Sequence, residues 1–412
     1  MTNLTLALPE LQRQLDPLPS WRGPFQDVCR RLTKHFGRVE TKQLAIDYLQ
    51  GLLSPVERKN GWQLAEHLGQ VNPYRFQHLL DRALWDADAV RDELRHYVRE
   101  HLGNAQGVLV VDETGFLKKG THSVGVQRQY SGTAGRVENC QIGVFLTYAA
   151  PQGHTFLDRA LYLPQEWADD ALRREQACVP EDVVFATKPQ LAQEMLKRAL
   201  DEGVPAAWVT ADSVYGDNPG LRAFLEERGQ AYVMAISSDE RLPLWEGGIR
   251  ALTLANRLPA SAWQPLSAGE GAKGPRLYEW AYQPLDAPEK SGWSRGLLVR
   301  RSLAAPTDLA YYHVFAPENT PLLTLVEVAG TRWTVECCFE SAKSEVGLDH
   351  YEVRRWHGWY RHITLSLWAH AFLSVLRAHL LELDAKKGEP IVCSSLTEFK
   401  RSRGLPMPPR FP

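Results

Sequence analysis

Residues 108–112 read VLVVD, followed by ETGFLKK at 113–119. Four aliphatic residues closed by a carboxylate are too short for a helix. They are also too evenly apolar for a strand with one wet face, so the run predicts a strand buried on both faces. The same pattern returns in AAWVTAD (206–212), again closed by an Asp, and in QAYVMAI (230–236). NCQIGVFLTYA (139–149) and HTFLDRALYL (154–163) read as two further strands joined by the turn AAPQG. PQLAQEMLKRALDEG (189–203) and NPGLRAFLEERG (218–229) are helices that stop at glycine. Strand, strand, strand, helix, strand, helix, strand predicts an α/β chain with a mixed sheet flanked by helices.

Working outward, residues 1–105 read as an all-α N-terminal domain for DNA binding or dimerisation. Within it, GWQLAEHLGQVNPYRFQHLLDRAL (61–84) suggests two helices, with Asn72-Pro73 opening the second. Arg75, His78 and Arg82 would lie opposite Phe76, Leu79 and Leu80, a helix-turn-helix pattern that an ordinary helical hairpin also satisfies. Residues 106–236 form the first part of the α/β core. Residues 237–320 are rich in Pro, Gly and Trp, with alternating segments such as RLYEWAY that predict a β-rich insertion. Residues 321–383 return to helix: one from roughly Leu323 to Val346, a second from about His357 to Leu383. Residues 384–412 are a basic, Pro-containing tail.

The 412 residues, 44% hydrophobic and 23% charged, fit a globular chain of two or three domains. No apolar run approaches the ~18–20 residues that span a bilayer, and the first residues lack the features of a signal peptide. The six cysteines are scattered without a CxxC pair, which argues against a zinc ribbon or a disulfide framework and fits a reducing cytoplasm. A net charge of −2 gives no global footprint for nucleic acid and leaves room only for local basic surfaces.

Asp112 and Asp212 each end an apolar strand, and a later helix, RWTVECCFESAK (332–343), carries Glu336. A strand-end Asp often only caps the next turn. Three oxygen-donor carboxylates at one sheet edge would suit hard divalent cations. Two such ions about 4 Å apart can activate a water or a 3′-hydroxyl and stabilise the leaving oxygen of a phosphodiester. On the helix, Arg332, Glu336 and Lys343 share a face. Glu340, one turn beyond Glu336, is a competing ligand. Glu113 is set aside because strand alternation points it to the opposite face.

These segments resemble bacterial insertion-sequence transposases of the DDE class, the IS701-like group of the IS4-like superfamily. The likeness rests on VVDETGFLKKGTHSVGVQRQYSGTAGRVENCQIGVF, TADSVYGDNPGLRAFLEERGQAYVMAI and RWTVECCFESAKSEVGLDHYEVRRWHGWYRHITL. It implies a ribonuclease-H-like catalytic core, with Asp112, Asp212 and Glu336 as the metal-binding triad for two Mg²⁺ ions, which Mn²⁺ could replace. Arg332 and Lys343 would hold backbone phosphates. Ala329 stands where the family's third motif carries Tyr, a departure that removes one phosphate contact.

Lys118 and Lys119, with His122, Arg128 and Arg136, could line a DNA channel or form a solvated loop. Arg354 and Arg355 open a stretch that interleaves cations with Trp356, Trp359 and Tyr360, suited to backbone contact and stacking or to core packing. Trp280 and Trp293 in the insertion are candidates to stack on a flipped base, as in some relatives. The reading is a transposase, acting as a homodimer on double-stranded DNA, that cuts element ends and joins them to target DNA. It needs no small-molecule substrate and no membrane, and would reside in the cytoplasm with the nucleoid. A non-catalytic, transposase-derived DNA-binding protein is the alternative; a two-carboxylate sugar hydrolase has little support.

Overall fold

The computed structural model describes residues 21–244, 248–271, 274–286, 288, 290–387, 396–397 and 399. The first 20 residues and nearly all of the tail from 388 lie outside the described residues. Five helices come first: α1 (Arg22–Thr33), α2 (Val39–Leu53), α3 (Gly61–His67), α4 (Tyr74–Asp81) and α5 (Ala87–Leu102). Asn60 caps α3 by accepting Gln63 N at 3.0 Å, and Asp86 caps α5 by accepting Asp88 N at 2.8 Å. Phe76, Leu79 and Leu80 bury the inner face of α4 and leave Arg75 and His78 exposed.

The sheet follows: β1 (Val108–Leu117), β2 (Gln127–Ser131), β3 (Arg136–Ala150) and β4 (Gly153–Tyr162). Two short helices, α6 (Gln165–Asp169) and α7 (Ala171–Gln176), lead to α8 (Lys188–Asp201). A Thr187/Gln190 capping box with Pro189 in the first turn sets where α8 starts. Then come β5 (Trp208–Ala211), α9 (Ser213–Gly216), α10 (Pro219–Arg228) and β6 (Ala231–Ile236). β1 runs antiparallel to β3 and parallel to β5, which is parallel to β6. An antiparallel meander continued by two parallel strands on helical crossovers is the ribonuclease-H-like arrangement.

The segment after β6 carries β7 (Arg241–Leu242), β8 (Ile249–Arg250), α11 (Ala251–Ala255), β9 (Gln264–Gly271), β10 (Gly274–Pro284), β11 (Trp293–Arg301) and β12 (Leu309–Pro317). Its four long strands extend the same sheet, because β12 pairs antiparallel with β6. The result is a ten-stranded sheet ordered β2-β3-β1-β5-β6-β12-β11-β10-β9, with β4 also on β3.

The helix expected from Leu323 to Val346 is two helices, α12 (Leu322–Thr331) and α13 (Trp333–Val346), that meet at Arg332. The Thr331 and Thr334 hydroxyls bond the carbonyls of Glu327 and Thr331, which competes with the helical ladder at the junction. Gly330 lies so near β9 that a Cβ on it would sit 2.0 Å from the Ala268 carbonyl oxygen. The long helix α14 (Trp356–Lys387) has 32 residues. It amends the expectation that no segment is long and apolar enough to cross a membrane: by length and composition α14 qualifies, yet 83% of that stretch is buried inside the fold. Its apolar character is that of a core helix, with Trp359 and Trp368 fully enclosed.

Candidate active site

Asp112 does not end its strand, as its position after VLVV suggests; β1 continues to Leu117. What ends there is the parallel partner. The last β1–β5 pair is Val111 with Ala211, so Asp112 and Asp212 each follow that pair on neighbouring strands. Asp212 leaves β5 to cap α9, its Oδ1 accepting Val214 N at 3.0 Å. Asp112 accepts the Glu113 amide at 2.8 Å. Burial pushes the Asp112 carboxyl up to about 7, the Asp212 charge adds to the rise, and Arg332 opposes it. Asp212 is pushed up to about 6, by burial first and then by Glu113.

Glu336 reaches this pair through Arg332. The guanidinium donates from Nη1 to Asp112 Oδ2 at 3.1 Å and from Nη2 to Glu336 Oε1 at 2.9 Å. The expected phosphate ligand is therefore a bridge between two carboxylates. It sits at the α12–α13 junction, where the chain turns it toward β1. Glu340, the competing position, is exposed and borders a separate pocket with His154 and Ser341. Lys343 donates to Thr114 Oγ1 at 2.8 Å and Thr133 Oγ1 at 3.2 Å, so it ties α13 to β1 and the β2–β3 turn. Burial lowers its pKa.

Among the described residues, no three His, Cys, Asp or Glu side chains stand close enough together to enclose a metal ion. The donor set still fits one. Burial raises both aspartates, the Asp212 charge adds to the rise at Asp112 and the Glu113 charge to that at Asp212, and among the described residues Arg332 is the cation that bridges Asp112 to Glu336. Arg332 occupies one oxygen on each of Asp112 and Glu336, so a hard divalent ion on these carboxylates would compete with it for both.

Glu113 was set aside on strand alternation, yet it belongs beside the site. It accepts Lys188 Nζ at 2.6 Å and the Tyr215 hydroxyl, and its charge acts on Asp212. The single turn of α9 swings Tyr215 back beneath the sheet, and the capping box places Lys188 at the start of α8. The DSVYG spacing was the available signal: a Tyr three residues past a capping Asp lands one helical turn away.

The remaining candidates are scattered. Lys118 lies 3.6 Å from the centre of the Tyr351 ring and donates to the Tyr351 carbonyl, with its pKa lowered to about 8 by burial. Lys119 and Arg354 are exposed, and Arg355 pairs with Asp81 at 2.9 Å. Trp359 is fully buried, so it is a core residue with no part in an interleaved DNA surface. Trp280 is 1% exposed and packs on Tyr278 and Tyr312, which leaves no face for a base. Trp293 stacks on Phe315 at 4.5 Å and 12°. Trp333, absent from the sequence candidates, is 48% exposed beside Arg332.

Residues 31–250 match the DDE superfamily endonuclease family, more than half of the chain, and residues 186–372 match the transposase DDE domain. The chain belongs to the DDE superfamily endonucleases. Within that class it is similar to the probable transposase for insertion sequence element IS701 of Microchaete diplosiphon, 31% identical over 198 residues. The match covers 47% of this chain and 49% of the relative, so the chain spans about half the length of the curated relative it matches. Among solved structures, the piggyBac transposase synaptic complex with hairpin DNA aligns with 90% of this chain and 71% of its own, at 12% identity and a TM-score of 0.45.

Proposed function

We propose that this protein is an insertion-sequence transposase that cuts its element's DNA ends and joins the freed 3′-hydroxyl to target DNA. The observation that carries the reading is the pairing of Asp112 and Asp212 at the end of the β1–β5 ladder, joined to Glu336 through Arg332, in a chain of the DDE endonuclease family. Asp112, Asp212 and Glu336 would hold divalent cations, Mg²⁺ or Mn²⁺. When bound, these would polarise the phosphodiester and lower the pKa of the attacking hydroxyl. The chain's own part is positional. The β1–β5 register sets the spacing of the aspartates, and the α9 cap orients Asp212. Glu113, held by Lys188 and Tyr215, keeps negative charge beside Asp212 and so favours a cation there. Arg332, when not engaged with the carboxylates, could take a phosphate oxygen pair as a fork. Lys119, Arg354 and Arg75 and His78 of α4 are exposed and would meet DNA backbone away from the cut. We further propose a homodimer on double-stranded element ends, acting in the cytoplasm with the nucleoid.

The test uses DNA carrying the inverted repeats that flank the coding region. With Mg²⁺ the protein should nick and join these ends. Asp112→Ala, Asp212→Ala and Glu336→Ala should each lose joining by at least about a thousandfold while still binding the ends. Joining by any of the three at the parent rate, or joining in EDTA, would overturn the reading.

A further inference from the structure

A cleft of about 510 Å³ opens between the insertion strands and the α12–α13 junction. Arg276, Arg300 and Arg332 line it together with Trp280, Tyr312 and Trp333, and among the described residues no carboxylate does. Three N–H donors on the residues that line it, Arg276 Nε, Arg300 Nε and Trp280 Nε1, are buried without a hydrogen-bond partner among the described residues. Buried donors are nearly always satisfied, and each orphan costs roughly 1–3 kcal/mol. With three arginines among the lining residues, the cleft suits an anionic acceptor. Arg276 spends Nη2 on the carbonyls of Ala268 and Gly330, and Arg300 lies 4.6 Å from the centre of the Tyr278 ring. Neither forms a salt bridge among the described residues. All three guanidiniums act electrostatically on the buried Tyr312 hydroxyl, so their charges converge on one point.

The wall nearest the carboxylates is Arg332 itself. Its guanidinium is shared between the cleft and the Asp112–Glu336 bridge. An anion in the cleft offers Arg332 another partner, and whatever draws it away exposes two carboxylates. We propose that this cleft binds a backbone phosphate of the DNA strand through Arg276 and Arg300, and that filling it releases Arg332 from Asp112 and Glu336. Metal uptake would then be coupled to DNA, and by linkage the metal would tighten DNA in return. This deepens the transposase reading and rests on it.

The full-length protein, free of metal, is titrated with a ten-nucleotide thymidine strand and separately with inorganic phosphate. Mn²⁺ binding is then followed calorimetrically with and without the strand. The parent should bind the strand, and its Mn²⁺ affinity should rise when the strand is present. Arg300→Gln should weaken strand binding about tenfold, the loss of one charged hydrogen-bond partner, and abolish the rise. Arg332→Gln should take up Mn²⁺ without the strand. Arg257→Gln, an exposed position on the insertion outside the cleft, should behave as the parent. Arg276 also ties β9 to α12, so Arg276→Gln is read only where its unfolding temperature equals the parent's.

The proposal fails if Arg300→Gln binds the strand as Arg257→Gln does. It also fails if the Mn²⁺ affinity of the parent ignores the strand. Phosphate binding that the strand cannot displace would make the cleft a free-anion site and reject the DNA assignment. These are binding readouts. They stay separate from failure of the transposase reading, which shows as joining by Asp112→Ala.

Discussion

Asp112 shows how the site is held at a cost. Its side chain is only 14% exposed, it faces Asp212, and one Arg fails to offset burial and like charge. Replacing it with Asn removes the repulsion and keeps the shape. Asp112→Asn should therefore be more stable than the parent by roughly 1 kcal/mol at pH 8 while losing cleavage, the usual trade at a strained active site. Urea unfolding of both proteins at pH 8 measures it; a variant less stable than the parent would show that the Arg332 bridge outweighs the repulsion. Asp112 and Asp212 could be picked out of the sequence because two apolar runs each closed by Asp, with a Glu on a later helix, form a rarer constellation than a lone Asp after such a run. The Arg332 bridge could not, since on a helical wheel an Arg four residues before a Glu looks like any surface pair. Only the fold supplies Asp112 as its second acceptor.

At the scale of elements, α9 is the most constrained part. This single turn carries Asp212 at its cap and Tyr215 toward Glu113, and it lies directly against β6. At Gly216 a Cβ would fall 1.8 Å from the Ala235 carbonyl oxygen. Backbone cannot yield as a flexible side chain does, so Gly216→Ala should push α9 off the sheet. The expected loss is about 2 kcal/mol or more, with metal-dependent cleavage lost alongside it. A denaturant midpoint within error of the parent would contradict the close approach. The core strands were legible because continuous apolar runs have few other uses. The Leu323–Val346 helix was misjudged at one residue: periodicity runs unbroken through Arg332, and the break comes from threonine hydroxyls and from β9 pressing on Gly330. Trp280 is a stacking candidate in the sequence and a core residue in the fold, because composition does not separate a stacking Trp from a buried one.

Across the whole molecule, buried histidines bind the layers together. His362 bonds Tyr48 of α2 at 2.8 Å, and His370 bonds Thr155 of β4 and Ser341 of α13. His313 bonds Tyr232 across β12 and β6. Burial pushes these three down to about 3, and His154 down to about 4. Each is neutral in the fold and gains a proton on unfolding below about pH 6.5. Their contribution is complete above that pH and is lost as pH falls toward 3–4, at about 1.4 kcal/mol per pH unit for each group. Asp112 and Asp212 act oppositely, favouring the fold as pH drops through 7 and 6, but they are two against four. The thermal midpoint should fall by several degrees from pH 7 to pH 5, and less in His370→Gln. A midpoint constant over that range would refute the assignment.

The sequence by itself determined the α/β class and the order of the core strands, because burial and strand length act locally and leave a pattern in the chain. The tertiary structure decided the rest: that β12 joins the insertion to the core sheet, that Arg332 bridges Asp112 to Glu336, and that three arginines share one cleft. Those depend on which strands pair and how closely a helix end approaches them, contacts between residues up to 220 positions apart, and no local periodicity encodes a distance of that kind.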